Sequence, residues 1–129
     1  MEPRGYFMHR RFGLHPKGGV TAYFTVEILP ENRYEVSYSI ARCNLLDNFT
    51  KRIGRRIAKG RYEMRRAFGD VMTYLVEAPD CESARELVIK RMEQICSGEL
   101  DAIHDLHELR IGALIRRYSS LIREGIITQ

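Results

Sequence analysis

At 129 residues and 15.1 kDa the chain has the size of one compact domain, able to bury about two-thirds of its unfolded surface without disulfides or metals. Its 44% hydrophobic and 29% charged residues exclude a disordered or fibrous protein. No segment approaches the ~20 consecutive apolar residues of a membrane span, and the basic N-terminus lacks a signal peptide's apolar core. A cytoplasmic protein with no membrane partner is expected. Cys43, Cys81 and Cys96, odd in number and widely spaced, read as free thiols.

The net charge of +4 conceals an asymmetry. Residues 42–66 hold nine basic and two acidic side chains, whereas residues 67–129 hold seven and eleven. Such concentration points to a phosphate-bearing partner more than a uniform excess would.

In chain order, residues 1–19 mix Arg4, Arg10, Arg11 and Lys17 with Tyr6, Phe7 and Phe12 without a period. They are predicted to form a mobile or loosely docked basic aromatic arm ahead of a single α+β domain over 20–129. From Val20 the pattern alternates strictly, with Val20, Ala22, Phe24, Val26 and Ile28 on one face and Thr21, Tyr23, Thr25 and Glu27 on the other, as in a half-buried strand. Pro30-Glu31-Asn32 is a turn, and Tyr34, Val36, Tyr38 and Ile40 restart the alternation, so an antiparallel hairpin is expected. Asp47 can cap a helix over 48–59 that ends at Gly60. A third strand follows over 71–77. Asp80 caps a helix through Cys96 that turns Ala84, Leu87, Val88, Arg91, Met92 and Ile95 inward and stops at Gly98. A last helix runs from Glu99 to Glu124, about 37 Å at 1.5 Å per residue, with a kink or close crossing at Gly112. The expected fold is α+β: a small antiparallel sheet, a basic helix after the second strand, and two C-terminal helices that cover the sheet or join subunits.

The basic helix is the most informative stretch. Phe49, Ile53 and Ile57 fall within about 80° of one another on a helical wheel, which predicts that they face the core. Lys51, Arg52, Arg55, Arg56 and Lys59 span the opposite side. Clustered cations repel unless an anion meets them, and guanidinium groups fork onto phosphate oxygens. Gly54 and Ala58 leave room for a backbone or a ligand ring. Arg52, Arg55, Arg56 and Arg61 are therefore expected to hold phosphate, with Tyr38 or Phe49 as an apolar wall and Asn44 and Asn48 on sugar or base. The bland alternative is a solvated face.

The run from Cys43 to Arg61 resembles small bacteriophage proteins that carry a strand–Cys–x3–Asp–x–Phe–x–Lys–x2–Gly–Arg–x2–Ala–x–Gly–Arg motif. That group includes the Thoeris anti-defence nucleotide sponges, which sequester cyclic ADP-ribose-type immune signals without cleaving them. The resemblance covers residues 34–61, and the Gly-Arg pairs at 54–55 and 60–61 are its most specific part. It leaves the helical tail after Arg66 unmatched. It implies Asn44, Asn48, Arg55 and Arg61 as ligand contacts, in a phage protein acting inside the infected cell.

Other chemistry has thinner support. His104 and His107 could share a metal but lack a further ligand segment, so no metal is expected, and no cofactor motif appears. No nucleophile elbow or phosphate loop is present. Glu63 and Asp70 could activate a water, which would make a phosphodiesterase. Cys43 ends a strand and reads as a small buried hydrophobe rather than a thiolate. The strongest rival to a nucleotide ligand is low-specificity nucleic-acid binding, with Tyr6, Phe7 or Phe12 stacking on bases. Tyr118, Leu121, Ile122, Ile126 and Ile127 give the C-terminus more apolar surface than a tail normally exposes, which suggests packing against the sheet, the commoner case, or against another subunit in a homo-oligomer that brings two basic helices toward one ligand. The expected function is non-catalytic capture of a phosphorylated, cyclic nucleotide.

Overall fold

Two long runs of β-branched and aromatic residues build the centre of the protein. The computed structural model describes residues 4–65 and 71–123, so the expectations for Asp70, Ile126 and Ile127 lie outside the described residues, as does the side chain of Ile122. Four strands, β1 (Gly5–Arg10), β2 (Lys17–Leu29), β3 (Arg33–Asn48) and β4 (Met72–Glu77), form an antiparallel sheet in that order. Helix α1 (Lys51–Arg65) follows β3, and α2 (Cys81–Arg123) closes the described chain. The α+β class stands. The basic helix follows the third strand, because the N-terminal segment supplies a strand of its own.

That segment departs from the expected arm. Gly5–Arg10 pairs along β2, from Gly5 opposite Thr25 to Arg10 opposite Val20. Its alternation was masked by cations, and as an edge strand it needs only one partner. Arg10 binds Glu93 of α2 at 3.0 Å, so what looked like a solvated charge anchors the edge.

The expected β2–β3 antiparallel hairpin forms, with Val26 opposite Val36 and Phe24 opposite Tyr38. In its turn both Glu31 and Asn32 take positive φ, 65° and 55°, the left-handed pair that tight hairpin connections demand. At the other end the register slips between Lys17 and Gly19, so β3 bulges outward around Asn44.

The two faces of the sheet differ in chemistry. Val20, Ala22, Phe24, Val36, Tyr38 and Ile40 form an apolar core with Val88, Met92, Cys96 and Ile103 of α2. Thr21, Thr25, Ser37 and Ser39 lie on the opposite face and are equally buried, beneath α1. The strands are thus buried on both sides, not half-buried. Short hydroxyl side chains let the helix come close and satisfy their own polarity against it. Ser39 donates to the Ala58 carbonyl at 2.6 Å, and the Thr25 and Tyr62 hydroxyls lie 2.7 Å apart.

This close approach rotates α1 away from the expected orientation. Ala58 and Tyr62 are buried, whereas Ile53 and Ile57 are 47% and 39% exposed. A Cβ on Gly54 would lie 2.2 Å from Thr21 Oγ1, so only glycine permits the contact. The helix begins after Thr50, whose carbonyl accepts from Gly54 N at 2.9 Å, and it continues through Gly60 to Arg65.

Helix α2 starts as expected, with Asp80 Oδ1 accepting from Ser83 N at 2.7 Å; these backbone donors hold the Asp80 carboxyl below its usual range. Ala84, Val88, Met92 and Cys96 face inward at strict four-residue spacing, while Leu87 and Arg91 are exposed and Ile95 is half-buried. The two expected C-terminal helices are one. Gly98 costs about 1 kcal/mol against alanine, but the apolar spacing continues through it to Ile103, and no proline or fresh cap follows. No helix among the described residues is long and apolar enough to cross a membrane.

The Gly54 contact predicts that Gly54→Ala lowers stability by about 1–3 kcal/mol despite alanine's better helix propensity, because it overpacks the α1–β2 contact. Thr21→Ala in the same chain should recover part of the loss in denaturant melts. A Gly54→Ala variant more stable than the parent would contradict this packing.

Candidate functional site

Because α1 turns its smallest residues inward, its cations are left outside. Arg52, Arg55, Arg56 and Lys51 are exposed and have no carboxylate partner among the described residues. Lys59 lies 3.9 Å from Glu63, a loose pair within the helix. Arg61 is different: its Nη1 donates to the Ile40 carbonyl at 2.9 Å, pinning α1 to β3. Helical geometry sends Arg52 and Arg56 away from the sheet and Lys51 and Arg55 toward β1.

Three cations and an aromatic row meet at the β1 edge. Phe7 and His9 occupy the same face of β1, their rings nearly parallel at 5° with centroids 6.5 Å apart. Phe7 also meets Tyr23 at 5.0 Å, and His9 meets Phe49 edge-on at 6.1 Å. Arg11 lies over Phe49, 5.1 Å from the ring centroid, in a cation–π contact. Phe49 itself is held by Gly19, where any Cβ would strike the ring at 2.4 Å.

His9 reports the local field. Its Nδ1 lies 2.8 Å from Thr21 Oγ1, which ties the imidazole to the residue against which Gly54 rests. Burial, reinforced by the positive charges of Lys51, Arg55 and Arg11, holds its pKa below the ordinary 6.5. An anion placed among these cations would relieve that repulsion.

The residues expected to form one site are divided. Phe49 and Arg55 come together around His9. Asn48 shares with Phe49, Ile53 and Ile57 a cavity of only about 60 Å³, too small for a nucleotide. Asn44 sits in the β3 bulge, its Oδ1 accepting from Leu46 N at 2.9 Å. Tyr38 lies on the α2 face, 6.0 Å from Tyr74 and 3.6 Å from the Met72 sulfur; it cannot wall a ligand held by α1, which covers the other side of the sheet. His9 was missed because the arm was not recognised as a strand, and Phe7 was named from sequence only for stacking on nucleic-acid bases. Phe7–x–His9 on one face was the available signal.

A concavity of about 760 Å³ lies on the opposite face between β1, β2 and the start of α2. Phe24, Val26, Tyr34 and Val88 wall it, and Arg4 and Arg85 stand at its rim. Cys43 and Cys96 offer no activated nucleophile: burial pushes the Cys43 thiol up, and the Cys96 thiol up to about 11. His104 sits 3.8 Å from Asp105 and 3.7 Å from Glu108, and no group of three metal-ligating side chains is found among the described residues. No protein-family model, curated protein or solved structure matches this chain.

The His9 surroundings set a sign. The folded pKa is depressed, so the unfolded chain binds the proton more readily, and His9 costs stability as pH falls from 6.5 toward the folded value. An NMR titration should place the imidazole midpoint below 6.5 and move it upward in Lys51→Gln or Arg55→Gln. A midpoint indifferent to both substitutions would show that these cations do not face His9.

Proposed function

We propose that this protein binds a phosphorylated nucleotide and does not turn it over. The observation that carries the proposal is the juxtaposition of unneutralised Arg11, Lys51 and Arg55 with the Phe7–His9 pair. Phosphate oxygens pair with the guanidinium groups, whose forked donors suit them, while the base stacks on the exposed Phe7 ring. Arg52 and Arg56, about 100° further round the helix, take a second phosphate. The resemblance of residues 34–61 to nucleotide sponges supports capture of a cyclic immune signal within this class.

A second reading is favoured by one feature, the openness of the strip. The cavity of about 60 Å³ beside α1 is too small to enclose a nucleotide, and a single-stranded nucleic acid could run along the cations with bases on the aromatic row.

Incubation with a panel of cyclic nucleotides and ADP-ribose isomers, followed by heating and mass analysis, together with oligonucleotide binding at rising salt, separates these readings. A nucleotide binder shows a saturable rise in melting temperature and releases its ligand unchanged, and Lys51→Gln with Arg55→Gln weakens binding about tenfold or more, roughly 1.4 kcal/mol. Binding of oligonucleotides alone, falling steeply with salt, selects the second reading. A converted ligand overturns non-catalytic capture.

A further inference from the structure

We infer that the groove between β1 and the first turns of α2 is a second binding site, which takes a long-chain carboxylate by its aliphatic tail and its anionic head. The groove follows from the path of the helix. Ala84 packs with Tyr34 and Val76, over β3 and β4, and about 14 Å further along, at 1.5 Å per residue, Glu93 reaches β1 through Arg10 at 3.0 Å. This oblique crossing closes the sheet near Arg10 and leaves it open toward the β2–β3 turn. Burial records the wedge: Val36 on β3 is fully buried, Val26 beside it on β2 is half-buried, and Ile28 nearer the turn is 68% exposed. The resulting concavity of about 760 Å³ falls within the roughly 300–1,000 Å³ of small-molecule sites.

Charge selects the occupant. Cys81, Arg85 and Ile89, spaced by four, form the flank of α2 that lines the groove, and Arg4, Tyr6 and Met8 form the facing wall on the β1 side. Arg4 precedes Gly5, which pairs with Thr25, so it stands level with Val26. Arg85 follows Ala84, which packs among Tyr34 and Val26. Two guanidinium groups therefore belong to opposite walls at the same level, toward the open end, and neither has a carboxylate partner among the described residues. No acidic side chain among those residues lines the groove. Deeper in, Met8, Val26 and Val88 offer apolar side chains, and the Tyr34 hydroxyl already donates to Cys81 Sγ at 3.5 Å. A ligand with polar groups along its length would leave them unpaired there. An aliphatic chain buries its methylenes instead and brings one carboxylate out between the arginines, whose forked donors suit it.

Titration of the full chain with dodecanoate below its micellar concentration, followed by methyl and amide NMR, tests this. One equivalent should bind saturably and shift Met8, Val26 and Val88. Decanoate should bind about fourfold or more weakly, for its two missing methylenes, and dodecanol and dodecylammonium about tenfold or more weakly, for want of an anion. Arg4→Gln with Arg85→Gln should weaken dodecanoate about tenfold and leave dodecanol unchanged. Ile89→Asp, at an exposed position of the flank, should abolish binding with the strand amides unmoved. Binding that dodecylammonium matches, or that withstands Arg4→Gln/Arg85→Gln, overturns the carboxylate assignment. Absence of dodecanoate binding, or shifts centred on Lys51 and Arg55, overturns the site. Self-association that Ile89→Asp abolishes, in a chain that takes up no dodecanoate, gives the groove to a second copy and likewise overturns it. The supporting readouts lie on the α2 face, so they succeed or fail independently of nucleotide capture at α1.

Discussion

Everything on the α1 side of the molecule follows from one contact, the approach of Gly54 to Thr21. A sheet face made of threonine and serine has no apolar bulk with which to hold a helix at the usual distance. Burying it is tolerable only if the hydroxyls find partners. The helix supplies them from its own backbone and from Tyr62, and this requires small residues at its inner surface. Gly54 and Ala58 therefore turn inward although Ile53 and Ile57 are the better hydrophobes. The rotation carries Lys51 and Arg55 to the β1 edge, where His9, Phe49 and Arg11 already stand.

The opposite face of the same sheet obeys the ordinary rule. Valine, phenylalanine and isoleucine meet an amphipathic helix, and the core extends to Ile103. The protein thus separates two tasks by side: α2 supplies the apolar burial that holds the fold, and α1 carries charge that a folding core could not accept. The helix that stabilises the sheet also outruns it, since Ile103 is its last buried residue among those described.

The sequence was legible wherever one period dominated. Alternation from Val20 to Ile40 located the hairpin, and Asp80 located the start of α2. The first strand was illegible because Arg4, Arg10 and Arg11 broke its hydrophobic signal, and an edge strand carries half of one at best. The rotation of α1 was hidden for a different reason. A helical wheel ranks isoleucine above glycine without knowing that the surface beneath is polar and short. Gly98 misled in turn, since a glycine stops a helix only when the following residues offer a cap, and Glu99 onward offered more helix. At the site, Arg55 and Phe49 could be named from sequence, but Tyr38 could have been set aside by its even position on β3, the face it shares with Val36 and Ile40.

The central claim is that cations freed by this rotation form an anion site at the β1 edge. Backbone amide mapping by NMR during titration with an ADP-ribose isomer or an oligonucleotide tests it most directly. The account predicts shifts concentrated in residues 7–11 and 49–56, with the His9 imidazole titrating at higher pH in the complex. Shifts confined to the α2 face, around Tyr34, Val88 and Arg85, would contradict it and move the site to the other side of the sheet.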